Sequence, residues 1–317
     1  MDNLTKVYVG VDVSMATLDV YIRPMNKALR IENSDKGAKY LNKYLSKFNV
    51  QVVACESSGG YENRMLRMMS GNGFHIQHID PRRIKGFAIS EGIKSKTDAT
   101  DAKLIAAYAE QKHTTMSIRK VMPTAAQQQL RELNKRRKQL IKSATMEKNR
   151  LKHPESVYTK KSIEAALKFL EKEIEKIIKD IKDLIAQDDE WQHKAKLIMS
   201  VPGVGECTAI ELLASLPELG LIGNKQITSL AGLAPFSRES GAWKGKSFIR
   251  DGRSGPRTLL YMAALTASCH NQKIKIFYDK LITAGKMPKV TLVAVMRKLI
   301  VIINTMLRKG EMWNPAL

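Results

Sequence analysis

The sequence predicts an α/β domain with a mixed sheet at its N-terminus, a helical arm in the middle and a mainly helical C-terminal domain. Three observations carry this: an alternating strand pattern opens the chain, strand-like and helix-like segments then take turns to residue 112, and apolar residues at heptad spacing follow. With 317 residues, 44% of them hydrophobic, the chain is long enough to bury more than one core.

From Lys6 to Ser14, Val7, Val9, Val11 and Val13 alternate with Tyr8, Gly10 and Asp12, the period of a strand that carries a carboxylate. Thr17 to Arg23 and Ala28 to Glu32 are further β-like runs, and Gly37 to Phe48 has apolar residues at helical spacing. Gln51 to Glu56 reads as a short buried strand. Glu62 to Ser70 reads as a helix stopped by Gly71-Asn72-Gly73, and Phe74 to Ile79 as a strand ended before Pro81. A strong helical signal covers Ala99 to Lys112. The order β-β-β-α-β-α-β, then helices, is that of an α/β domain over residues 1–115, with a boundary near Thr114 to Pro123.

Residues 124–190 form the expected arm. Ile163, Leu167, Leu170, Ile174, Ile177, Ile181 and Leu184 repeat at alternating spacings of four and three, a heptad seam. A weaker version runs through Leu133, Leu140 and Ala144, and His153-Pro154 breaks the two apart into a helical hairpin. Such a seam serves either an antiparallel hairpin within one chain or a coiled coil between chains. In residues 191–317, "VPGVGECTA" sets Gly203 and Gly205 between two helical segments. This helix-hairpin-helix-like turn could offer backbone N–H groups to a phosphate, or be a tight turn only. Val290 to Leu307 is apolar but carries Arg297 and Lys298 at its middle, which predicts a core or amphipathic helix and no membrane partner.

The chain has 53 Lys and Arg against 31 Asp and Glu, a net charge of +22 that suits a polyanionic partner, nucleic acid first. Cys55, Cys207 and Cys269 lie far apart without a CxxC pair, which argues against disulfides and a structural zinc site. Met1 to Lys6 runs directly into a strand pattern, so a cytoplasmic address is expected. The six histidines are scattered without metal-ligand spacing, and no Ser-His-Asp order supports acyl chemistry.

Four acids lie on three elements: Asp12 mid-strand, Glu56 at the end of "QVVACE", and Asp98 with Asp101 in "KSKTDATDA". Positions i and i+3 share a helix face, so Asp98 and Asp101 can point together. Carboxylates gathered in this way bind hard divalent cations such as Mg²⁺, which also take substrate phosphate oxygens. Each acid has a plainer reading too. Asp98 and Asp101 suit a helix cap, Glu56 a strand end, Asp12 an exposed sheet face, and Asp19 and Asp80 are rival carboxylates. In the C-terminal half, the stretch from Arg238 to Arg257 holds Lys244, Lys246 and Arg250 beside two Ser-Gly pairs, at Ser240 and Ser254. Arg136, Arg137 and Lys138 form a second basic group. Flanking cations would stabilise a phosphate attacked by a serine, but position does not choose between the two serines.

The segments "VGVDVS", "ACESSGGYE", "HIDPRRIKGFA" and "KSKTDATDAKLIAAYAE" resemble the RuvC-like DEDD domain of the IS110 and IS1111 insertion-sequence transposases, relatives of the Piv and MooV invertases. "SVPGVGECTAIELLASL" through "LAGLAPFSRESGAWKGKSFIRDGRSGPRTLLYMAAL" resembles their C-terminal transposase domain. The resemblance implies an RNase H-like first domain, Asp12, Glu56, Asp98 and Asp101 at the four DEDD positions holding Mg²⁺, and Ser240 as the nucleophile. It further implies donor and target DNA and a structured bridge RNA as partners, and the heptad seam from Ile163 to Leu184 motivates a homo-oligomer, dimer or tetramer. Asp80 stands where the pattern expects Asn before Pro. Two other functions compete: a RuvC-like endonuclease in which water attacks, and a non-enzymatic helix-hairpin-helix DNA-binding protein.

Overall fold

Valines at every second position commit Lys6–Val13 (β1) to the centre of a sheet, because only an extended chain buries all four on one side. In the computed structural model, which describes residues 5–93, 98–114, 124–153, 156–237, 239–240, 243–245 and 247–315, this strand organises the first of two compact units, Met1–Met122 and Pro123–Leu317. β1 pairs antiparallel with β2 (Thr17–Arg23), which pairs antiparallel with β3 (Lys27–Glu32). On its other side β1 runs parallel to β4 (Asn49–Glu56), and β4 parallel to β5 (Ile76–Ile79). The order is β3-β2-β1-β4-β5, so the mixed α/β sheet expected from the sequence is present.

Helices cover both faces. Val7, Val9, Val11 and Val13 pack with residues of α1 (Asp35–Leu45) and α2 (Asn63–Gly71), including Leu41, Leu45, Met65 and Met69. Val52 and Ala54 pack on the opposite face with α3 (Pro81–Ser90) and α4 (Asp98–Lys112), through Ile84, Phe87, Ile105 and Tyr108. α1 starts where Ser34 Oγ accepts from the Gly37 N–H at 3.2 Å.

The second unit grows around α5 (Ala125–Leu151) and α6 (Val157–Ala186), two long helices that pair as a hairpin within the chain. Leu140, Ala144 and Leu167 are buried in the hairpin, and Lys148 reaches Glu171 at 2.9 Å across it. At the other end Leu130, Ile181 and Ile185 enter one core with α7 (Asp189–Met199), α8 (Glu206–Ser215), α9 (Asn224–Leu230), α10 (Ser254–His270), α11 (Gln272–Thr283) and α12 (Pro288–Lys309). The arm is therefore rooted in the C-terminal core, because its heptad residues change partner from one another to α7 and α8. Among the described residues only α12 is long and apolar enough to cross a membrane, and Leu292, Val295, Met296, Leu299, Ile300 and Ile303 make it the inside of this core. Between α9 and α10 lie two short ribbons, β6 (Pro235–Phe236) with β9 (Phe248–Ile249), and β7 (Glu239–Ser240) with β8 (Trp243–Lys244).

Gly10 is where α4 lands on β1. A Cβ there would lie 2.3 Å from the Ala102 carbonyl oxygen and 2.3 Å from the Ala106 nitrogen, backbone atoms that cannot swing aside. Gly10→Ala should therefore destabilise the protein by about 1–3 kcal/mol, the usual cost of overpacking. Denaturant titration followed by circular dichroism measures this, and an unchanged midpoint would contradict the contact.

Candidate active site and nucleic-acid interface

Pairing and pleat decide where the strand acids go. Val11 of β1 lies opposite Cys55 of β4 in parallel register, so Asp12 and Glu56 follow at the same level on neighbouring strands. Alternation puts Asp12 on the face of Tyr8 and Gly10, and Glu56 on the face of Val52 and Ala54, which is the α4 side for both. α4 runs against β1 in the opposite sense. Its C-terminal end meets Tyr8, whose ring lies 4.8 Å from that of His113, while Ala102 and Ala106 meet Gly10. Continuing that run, the first turn of α4, with Asp98 and Asp101, comes to the end of β1 that carries Asp12. Asp12, Glu56 and Asp101 are all half-buried, and Asp98 opens α4 with its side chain outside the described residues. Among the described residues no three acidic, His or Cys side chains close on a common point. The donors at this end of the sheet are carboxylate oxygens, the chemistry that a hard divalent cation selects.

The rival acids have other employment. Asp80 caps α3, its Oδ1 accepting from the Arg82 N–H at 2.9 Å while the Arg82 guanidinium forks onto it at 3.0 and 2.6 Å. The hydrogen bonds from Arg82 hold its pKa down at about 2. Asp19 sits opposite Asp12 and pairs with Arg30 at 3.3 Å.

One group beside the acids escaped the sequence reading. Immediately after Glu56 the chain turns through Gly59 and Gly60, both at positive φ, around the buried carboxylate of Glu62. Glu62 Oε2 accepts from Ser58 Oγ (2.7 Å), the Gly60 N–H (2.9 Å) and the Ser58 N–H (3.3 Å). With its proton on Nε2, as the carboxylate requires, His78 of β5 donates to Glu62 Oε1 at 3.0 Å and meets Ser57 Oγ at 2.9 Å. Burial alone would raise the Glu62 pKa, but the hydrogen bonds from His78, Ser58 and Gly60 outweigh it and bring it to about 2. The Gly-Gly turn before a Glu was the available local signal. His78 had none, because β5 alone brings it there.

The basic residues divide. Arg136 is exposed, but Arg137, expected at a phosphate, is 3% exposed, with its Nη1 turned to Cys207 Sγ at 3.5 Å. Arg137 lies on the α5 face that packs on α8. Lys138 is spoken for as well, 2.6 Å from the fully buried Glu211, which also accepts from Asn134 Nδ2 at 2.8 Å and Ser215 Oγ at 2.6 Å. Gly203, at positive φ, would put a Cβ 2.6 Å from the Ala267 backbone, so this position lets the turn pack on α10, whereas Gly205 precedes α8 in open space. Arg250 is exposed and rests on Phe236, 4.9 Å from the ring centroid, and Arg253 is clamped to Glu218 at 2.7 and 2.8 Å. Ser240 and Lys244 belong to the β7–β8 ribbon, where Ser240 pairs with Trp243, but their side chains lie outside the described residues, as does all of Lys246. Ser254 is the first residue of α10.

Two family models match the chain, a DEDD transposase domain over residues 9–154 and a transposase domain of the IS116/IS110/IS902 family over residues 195–279. The chain is 27% identical over 328 residues to the pilin gene-inverting protein of Moraxella bovis, covering 99% of each. It is 26% identical over 236 residues to the transposase of insertion element IS1111A from Coxiella burnetii, covering 65% of this chain and 62% of that one. An uncharacterized 42 kDa protein of insertion element IS900 from Mycobacterium paratuberculosis is 29% identical over 155 residues, 46% of this chain and 38% of that protein. The chain belongs to the IS110 family and is a DNA transposase/recombinase. Its family implies the use of a divalent metal.

The Glu62 group has a pH signature. A carboxylate whose folded pKa is lowered from 4.5 to about 2 contributes stability that is complete above pH 4.5 and is lost as pH falls toward 2. Glu62→Gln should flatten the acid limb of the stability curve across that window. Thermal melts at a series of pH values test it, and parallel acid limbs for the two proteins would count against the arrangement.

Proposed function

We propose that this transposase cuts and rejoins DNA through a Ser240 nucleophile, at a site where Asp12, Glu56, Asp98 and Asp101 hold a divalent cation, Mg²⁺ in the cell. The observation that carries this reading is the arrival of β1, β4 and the first turn of α4 at one end and one face of the mixed sheet. An antiparallel β1-β2-β3 meander continued by parallel β4 and β5 supports an RNase H-like, RuvC-like reading of residues 1–115. The proposed division continues with the arm at 124–190 and the serine-bearing transposase domain at 191–317. The bound cation would lower the pKa of the attacking hydroxyl and neutralise charge on the scissile phosphate.

The serine supplies what recombination needs. Ser240 Oγ loses its proton and bonds to phosphorus, the bond to one deoxyribose oxygen breaks, and that oxygen leaves protonated. The phosphodiester energy is kept in the Ser–O–P link for rejoining, whereas a water nucleophile would leave free ends. Arg136, Lys244, Lys246 and Arg250 are the side chains proposed to hold phosphates, with the Gly203–Gly205 turn adding backbone N–H groups. A structured bridge RNA pairing with donor and target DNA would choose the sites, and the net charge of +22 supports such a polyanionic load. The serine and the acids of one site are proposed to come from different chains of a homo-oligomer.

The test mixes Ser240→Ala protein with Asp12→Asn protein on a suicide DNA substrate. Each variant alone should fall at least 100-fold in cleavage, the order expected on losing a main catalytic group, and the mixture should regain activity with a DNA adduct mapped to Ser240. An adduct at Ser254, or productive cleavage without any adduct, overturns the serine assignment. Wild-type cleavage by Asp12→Asn overturns the acid site.

A further inference from the structure

The Glu62–His78 pair lies outside the four proposed ligands, yet it closes directly on the residue that follows one of them. Ser57, next to Glu56, is tied to His78 Nε2 at 2.9 Å, His78 to Glu62 at 3.0 Å, and Glu62 back to Ser58 and Gly60. Along β4 and β5, His78 stands opposite Cys55, and Ile79 opposite Glu56. The Ser57 N–H extends the ladder by donating to the Ile79 carbonyl at 3.3 Å. The loop that leaves the site is thus fixed on both sides, by the β5 backbone and by a buried carboxylate.

An ordinary strand end needs none of this. Two positive-φ glycines and a carboxylate with side-chain exposure of 6% amount to a costly way of finishing β4. The geometry points to Glu62 and His78 as positioning residues that set the direction of the Glu56 carboxylate for its cation. This inference rests on the acid site proposed above. Groups that orient a ligand from behind typically change metal affinity or activity by about 10–100-fold when removed, and held backbone direction is what turns a flexible strand end into such a support. Glu62, whose pKa its hydrogen bonds bring to about 2, is ionised at neutral pH.

The experiment uses full-length protein with three substitutions: Glu62→Gln, His78→Gln and the exposed-side Ser57→Ala, which removes one bond with little risk to folding. Mn²⁺ binding is read by electron paramagnetic resonance, cleavage is titrated with Mn²⁺, and thermal melts report folding. Expected is a weakening of Mn²⁺ binding by about 10-fold or more in His78→Gln, a smaller one in Ser57→Ala, and cleavage that excess Mn²⁺ restores. Rescue by metal separates positioning from mere loss of fold, which added metal would not repair at an unchanged melting temperature. Asp12→Asn, run alongside, keeps the two hypotheses apart. If it binds Mn²⁺ and cleaves as the parent does, the acid site falls and the clasp inference with it. If it is inactive while Ser57→Ala and His78→Gln, both folded, bind Mn²⁺ as the parent does, the clasp inference alone is overturned.

Discussion

The approach of α4 to β1 over Gly10 is the constraint on which the first unit turns. Helix and sheet usually meet through side chains. Here the absent Cβ lets the helix backbone come down onto the strand itself, with Ala102 and Ala106 completing a contact that has no side chain to yield. A helix seated so closely cannot slide along the strand. Its first turn is held at a fixed depth relative to Asp12 by packing. The Tyr8–His113 contact at the far end of α4 fixes the other point of the line.

The second unit solves a related problem with polar groups. Along α5, Gln127, Arg131, Asn134, Arg137 and Lys138 return to one face at spacings of three and four. Opposite them, α8 offers the Leu213 and Ala214 carbonyls to Gln127 and Arg131, and the buried Glu211 to Asn134 and Lys138. The arm is keyed to the core by directional bonds rather than by apolar contact alone, which fixes the rotation of α5 about its axis.

These two interfaces explain what could be read in the sequence. β1 and β2 were legible because each buries a period-two apolar face, β4 because its run is apolar on both faces, and β1 and β4 could be placed from Val7 to Val13 and from Gln51 to Glu56 almost residue by residue. The order of the four acids was visible, and pleat geometry carries the strand pair to one face. What stayed hidden depended on partners remote in sequence. A lysine bound for a phosphate and a lysine bound for Glu211 have the same letter, and Arg137 looked like surface because its neighbours Arg136 and Lys138 are cationic. Gly203 read equally as a phosphate turn or a packing turn, since Ala267 lies sixty-odd residues away on α10. The role of His78 depended on the β4–β5 register, which no local pattern encodes.

The shared carboxylate of Glu211 has a mechanical corollary. Its Oε1 would lie 2.0 Å from a Cβ on Gly255, so the α5 arm, α8 and the start of α10 all meet at one carboxyl group with no slack between them. A helix of 27 residues is a lever about 40 Å long, whose tip moves about 0.7 Å for each degree of tilt at its root. Pinned in this way, the lever can also work in reverse. A load on the far end of α5 reaches the first turn of α10 through the Glu211 carboxyl group, against which both helices are packed.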